Sequence, residues 1–149
     1  MTEMETEYQI ARLNKQYVQC IDEDRLEEWP GFFVEDSTYI IFPRENFDAG
    51  LEGYWMYCAS GAMMRDRIQA LRKVNIYNIH YDRHLLSNVL VQGEADGIFE
   101  VRSNYAVIQT DVEGRCHVFS TGQYRDKIVL VDGEYKFKEK IVVVDSFNI

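Results

Sequence analysis

Two hydrophobic periods divide the chain. From Glu3 to Ile21 the apolar positions Ile10, Leu13, Tyr17, Cys20 and Ile21 recur three and four residues apart, which predicts an amphipathic helix. The next stretch, DEDRLEEWPGFF, predicts a second, short helix. Asp24 would cap it, Glu27 sits three residues on as in a capping box, and Pro30-Gly31 would break it. STYIIFP reads as a strand and Phe47 to Gly61 as irregular or mixed. MMRDRIQALRKVNIY reads as a third helix with Met64, Ile68 and Leu71 on one stripe. After Tyr81 the period becomes two. HLLSNVLVQ is strand-like, and in GIFEVRSNYAVIQT Phe99, Val101, Tyr105 and Val107 alternate with Glu100, Arg102 and Asn104. A turn at Asp111 to Gly114 leads into RCHVFSTGQYRDKIVLV, and Asp132-Gly133 is a hairpin signal before the last strand, EYKFKEKIVVVDSF. Helices first and long antiparallel strands later predict an α+β fold, with N-terminal helices packed on one face of a curved, mostly antiparallel sheet. Such a sheet forms a cone that can hold a pocket.

The 149 residues suit one domain spanning 1–149, with no linker or repeat. Ten Tyr, eight Phe and two Trp are a heavy aromatic load, which a large core or a subunit interface would absorb. A formal charge of −9 argues against nucleic acid and anionic membrane surfaces as partners. The polar start MTEMETEYQI and the absence of a long apolar run predict neither a signal segment nor a membrane span. Cys20, Cys58 and Cys116, odd in number and widely spaced, fit small buried apolar groups in a reduced cytoplasm.

The most suggestive chemistry is His80-x-Asp82-x-His84. On a helix the two histidines would share a face, but a zincin needs a glutamate directly after the first, and Tyr81 stands there. On a strand the two lie about 13 Å apart. The cysteines lack the clustering that iron–sulfur ligation needs, and DEDRLEE lacks the glycine of a calcium loop. GAMM and GEADG read as turns. In the last strand Tyr135, Phe137, Ile141, Val143 and Asp145 fall on one face, so Asp145 would end an apolar surface. Desolvated there, it could serve as a general base; otherwise it is hydrogen-bonded or paired with an arginine.

In order, LEEWPGFFVEDSTY, DRIQALRKVNIY, RHLLSNVLV, FEVRSNYAVIQT and EKIVVVDSF resemble the small (β) subunits of Rieske-type aromatic ring-hydroxylating dioxygenases. Arg83-His84 with Ser87-Asn88, then Val101-Arg102-Ser103-Asn104, are the most specific matches. ALRKVNIYNIHYDRH leans toward the branch acting on terephthalate, anthranilate or salicylate. The resemblance implies the cone-shaped NTF2-like (cystatin-like) fold. It implies a structural subunit with no catalytic or metal-binding residue of its own. The partner would be a large (α) subunit carrying a Rieske 2Fe–2S cluster and a mononuclear Fe(II), in an α₃β₃ heterohexamer with β–β contacts. Electrons would come from NAD(P)H through a separate reductase, and O₂ would be added to an aromatic acid. Trp29, Arg67, Arg83, His84, Arg102, Asn104 and Asp145 are the candidate interface or structural residues, and His80-x-Asp82-x-His84 becomes the join of helix and strand. Arg67, Arg83 and Arg102 would anchor interface or core salt bridges, whereas Lys136 would lie on a charged outer face. Two other readings compete: a stand-alone isomerase- or dehydratase-like pocket enzyme with Asp145 or His84 as base, and a ligand-binding module without catalysis.

Overall fold

In the computed structural model, which describes residues 2–74 and 80–146, the N-terminal helix α1 runs Glu3–Asp22. Thr2 starts it: its hydroxyl accepts the Glu5 N–H at 3.1 Å and Glu5 accepts the Thr2 N–H at 3.0 Å, satisfying two otherwise orphaned donors. Its buried stripe includes Ile10, Leu13, Asn14, Tyr17, Val18 and Cys20. The helix closes through Asp24, which takes a left-handed φ of 60°. Asp24 N–H bonds Ile21 O and Arg25 N–H bonds Cys20 O, the two bonds of a Schellman motif.

The expected second helix is therefore different. Leu26–Phe32 is a 3₁₀ segment with no side-chain cap and with Pro30 inside it. Asp24 is used in closing α1, and Arg72 takes up both acids instead, at 2.7 Å from the Asp24 carboxylate and 2.9 Å from that of Glu27. Strand β1, Phe33–Pro43, is longer than STYIIFP alone. The mixed segment resolves into a short α2, Arg44–Asp48, and a short β2, Met56–Cys58. GAMM is not a turn: it opens α3, Gly61–Val74, because the Ser60 hydroxyl accepts the Met63 N–H at 3.3 Å. The expected continuation of this helix to Tyr77 lies outside the described residues.

Four long strands follow: β3, His80–Ala95; β4, Ile98–Asp111; β5, Cys116–Val131; β6, Glu134–Val144. Asp132-Gly133 forms the expected hairpin and Asp96-Gly97, within GEADG, forms another. All four residues have positive φ, as a type I′ turn requires. The sheet runs β2-β1-β6-β5-β4-β3, antiparallel throughout except for β1 beside β6. Register shifts interrupt the β3–β4, β4–β5 and β5–β6 ladders. Such bulges raise the local twist and bend long strands. α1 packs on β3 and β6, and α3 on β1 and β2, so both helices cover the concave face. The alternation read in β4 holds: Val101, Tyr105 and Val107 are buried, whereas Glu100 and Arg102 are exposed.

Gly122 of β5 has no room for a side chain, because a Cβ there would meet the Val143 carbonyl of β6 and the Tyr105 ring. Gly122→Ala is expected to lower stability by about 1–3 kcal/mol, the usual effect of overpacking, measured as the shift in urea midpoint.

Candidate functional site

The interior of the cone is occupied. Tyr17 stands at its centre, with the rings of Phe32, Phe33, Tyr124 and Phe137 edge-on at 5.5–6.3 Å. Tyr105 stacks on Tyr124 at 4.8 Å, and Trp29 packs edge-on against Tyr39 and Phe33. Burial pushes the Tyr17 and Tyr124 hydroxyls well above the ordinary phenol value, and those of Tyr39 and Tyr105 to about 12.

Enclosed by these rings is a lysine. Lys140 is fully buried, and its Nζ lies 3.9 Å from the Tyr124 ring centre, 4.2 Å from Phe137 and 4.6 Å from Tyr17. It donates to both Asp126 carboxylate oxygens and to Asn14 Oδ1, each at 3.1 Å. The rings supply attraction for a desolvated cation, and the carboxylate supplies the counter-charge. Desolvation lowers Lys140 to about 8 and raises Asp126 above its ordinary value, although each partner opposes the other's shift. Burial thus disfavours charge at both ends of the pair.

Strict alternation along EYKFKEK puts Lys140 outside with Lys136 and Lys138. A bulge at Lys138 reverses the parity, since Phe137 pairs Ile128 whereas Glu139 pairs Lys127. Phe137, Lys140, Val142 and Val144 then point inward, and Ile141 and Val143 turn to the other face. The single apolar face expected to end at Asp145 is therefore split. Asp145 is not desolvated: its side chain is 38% exposed and pairs with Arg44 at 3.3 Å. Nor is Lys136 free on the outer face, because it donates to the Gly31 carbonyl at 2.6 Å. Two signals for the buried triad stood in the sequence. Asn14 lies on the apolar stripe of α1, and Asp126 alternates in phase with Tyr124 and Ile128.

His80, Asp82 and His84 do not form a helix-to-strand join; all three lie within β3 and alternate toward the inner face. His84 is fixed from α1, its backbone N–H donating to Asp22 Oδ2 at 2.8 Å and its Nδ1 lying 2.5 Å from Asp22 Oδ1. Asp82 accepts from Gln109 and lies 3.7 Å from His80. The segment is extended, so the two histidines stand about 13 Å apart. Among the described residues no three His, Cys, Asp or Glu side chains are grouped to hold a metal ion. A carboxylate-held imidazole can act as a base, but Val107, directly across from His84, is itself buried against the core.

The remaining candidates disperse. Trp29 is a core residue. Arg83, Arg102 and Asn104 share the outer face of β3 and β4, whereas Arg67 lines a surface groove with Trp55, Tyr57 and Met63 near the opposite sheet edge. Among the described residues Arg67, Arg83 and Arg102 make no salt bridge within the chain. Cys20 and Cys58 are buried as expected, but Cys116 is exposed. No described helix is long and apolar enough to cross a membrane.

A helix-covered curved sheet with these elements defines a SnoaL-like domain, and the model of that family matches residues 2–140. Over 147 residues the chain is 38% identical to the anthranilate 1,2-dioxygenase small subunit of Burkholderia cepacia, covering 99% of this chain and 91% of the relative. It is 36% identical to the terephthalate 1,2-dioxygenase terminal oxygenase component subunit beta 2 of Comamonas sp, covering 96% and 93%. A solved structure from Novosphingobium aromaticivorans DSM 12444, assigned as the β subunit of an aromatic-ring-hydroxylating dioxygenase, superposes with a TM-score of 0.90 at 34% identity, covering 98% and 93%. The chain belongs to the SnoaL-like family and, within it, to the β subunits of aromatic ring-hydroxylating dioxygenases, on the anthranilate and terephthalate side.

Removing one member of the buried pair leaves the other uncompensated. Lys140→Met is expected to cost about 3–5 kcal/mol, whereas Asp126→Leu/Lys140→Met should be near neutral or stabilising; urea unfolding of both variants checks this. The folded pair gives up a proton near pH 8, against 10.5 for the unfolded lysine. Between those values the unfolded chain binds more protons, so wild type should gain stability relative to the double variant as pH rises. A constant or falling difference would contradict the assignment.

Proposed function

We propose that the chain is the non-catalytic, structural β subunit of a terminal oxygenase, residues 1–149 acting as one domain. It supports a large subunit that carries the Rieske 2Fe–2S cluster and the mononuclear Fe(II). That subunit hydroxylates an aromatic acid such as terephthalate or anthranilate with O₂ and electrons from NAD(P)H, delivered by a separate reductase. The assembly is an α₃β₃ heterohexamer in the cytoplasm, with contacts between small subunits. The observation that supports this reading most is the filled cone. The space around Lys140 is taken up by the rings of Tyr17, Tyr124 and Phe137 and by the Asn14 and Asp126 side chains, which favours a packed scaffold over a pocket enzyme. The relatives' names support the pairing with a large subunit, for they are themselves a "small subunit" and a "subunit beta" of an oxygenase component.

The test is the native mass and iron content of the complex that co-purifies with the tagged chain from its own cells. The expected result is a brown assembly of equal large and small subunits with about three irons per pair. A colourless, iron-free homo-oligomer would overturn the reading.

A further inference from the structure

We propose that the groove between β2 and α3 binds a single-ring aromatic carboxylate, and prefers one with an amino group beside the carboxylate. Arg67 takes the carboxylate, Asp66 the amine, and Trp55 with Tyr57 the ring. This deepens the reading above, on whose aromatic-acid substrate the identity of the occupant rests.

The groove is built from one helix stripe and one sheet edge. Met63, Asp66, Arg67 and Ala70 recur at the three-four spacing of a single face of α3, and all four line it. Trp55 and Tyr57 line it from the side of β2, which is an edge strand of the sheet. They are 42% and 44% exposed, which leaves ring surface open to a ligand. The walls are held in place from behind. Trp55 N–H donates to the Ile41 carbonyl of β1 at 2.8 Å, Tyr54 backs the Tyr57 ring at 5.1 Å, and the Met63 sulfur accepts the Ala59 N–H at 3.3 Å. The groove encloses about 430 Å³. That is at the small end of the roughly 300–1,000 Å³ of small-molecule sites, which suits one ring. An added peptide strand is a poorer fit, because β2 offers an edge of three residues.

The charges of this groove are uncommitted, unlike their neighbours on the same helix. Arg65 is paired with Glu35, and Arg72 with Asp24 and Glu27. Asp66 and Arg67 enter no salt bridge among the described residues. Burial pushes the Cys58 thiol up and the Arg67 charge opposes that rise, so the guanidinium lies close to the buried Cys58 side of the groove. A chain with a formal charge of −9 repels anions in general. An anion held here must therefore gain more than a charge contact. An aromatic carboxylate does so, because its oxygens accept two guanidinium N–H bonds while its ring packs on the indole and phenol rings. Asp66 adds discrimination. An arylamine is neutral at neutral pH and donates N–H bonds, so an amino group ortho to the carboxylate reaches Asp66 while the carboxylate stays on Arg67. A second carboxylate on the ring finds no donor there.

The test is a titration of the isotope-labelled full-length chain followed by NMR at neutral pH. The chain has two tryptophans, and the indole N–H of buried Trp29 is the internal reference for that of exposed Trp55. Ortho-aminobenzoate should shift the Trp55 signal saturably and leave that of Trp29 in place. Benzoate should bind about 3-fold or more weaker, terephthalate no better than benzoate, and aniline without a measurable shift. Arg67→Gln should weaken binding of both benzoates by about 10-fold or more. Asp66→Ala should erase only the preference for ortho-aminobenzoate. Both residues are exposed, and an otherwise unaltered amide spectrum shows that the variants fold. A Trp55 signal that does not move with ortho-aminobenzoate, or a shift that Arg67→Gln leaves unchanged, would overturn the inference. So would an Arg67→Gln chain that binds the acid as wild type does but no longer captures the iron-bearing subunit, since the groove would then be a docking surface. The iron content of the co-purified complex reads the functional proposal separately: a chain that captures the iron-bearing subunit but binds no aromatic acid leaves that reading standing.

Discussion

A single buried ion pair, Lys140 with Asp126, constrains the rest of this structure. Lys140 cannot reach water, so its ammonium must be satisfied from inside. Three elements meet to do so. β5 supplies Asp126, α1 supplies Asn14, and the rings of Tyr17, Tyr124 and Phe137 present their faces. Because the contacts come from the first helix and the last two strands, they join the ends of the chain to the middle of the sheet. The bulge at Lys138 makes this possible by turning Lys140 inward three residues after Phe137. The cone is thereby packed with side chains around Lys140.

Much of the fold was legible because it rests on local rules. α1 followed from a three-four stripe, β4 from strict alternation, and the β5–β6 hairpin from Asp132-Gly133. Failures came where a tertiary contact overrode a local signal. The DEDRLEE segment carries a good capping pattern, but closing α1 took Asp24 into a left-handed conformation and Arg72 drew Glu27 away. GAMM looked like a turn because Ser60, whose hydroxyl caps the helix, lies one residue ahead of it. The β6 error has the same origin. A one-residue bulge is invisible to a period-two reading, yet it decides which of Lys140 and Asp145 is buried. The family was legible from ordered motifs spread over the chain, since such motifs are insensitive to one misjudged parity. The buried triad was only half legible: Asn14 and Asp126 sat on apolar faces, but their partner appeared to point outward.

Charge is distributed with a similar division of labour. The 25 acids outnumber the 16 Lys and Arg, and the resulting negative charge disfavours polyanions as partners. Among the described residues, Arg83, Arg102 and Arg125 lie without a salt bridge on the outer side of strands β3 to β5, Arg125 stacking over the Phe47 ring. His84 belongs to the other side of the sheet. With Asp22 it ties the C-terminal end of α1 to β3 and thereby holds the helix over the cone.

In the proposed role this chain shapes an oxygenase without touching its chemistry. The most direct measurement is turnover of the aromatic acid per assembled large subunit, in complexes carrying either the wild-type chain or its His84→Asn/Asp145→Asn variant. Scoring only assembled complexes removes any loss of folding from the comparison. Equal turnover per large subunit is the predicted result. A fall in turnover with assembly and iron content intact would contradict the account and place a catalytic group in this chain.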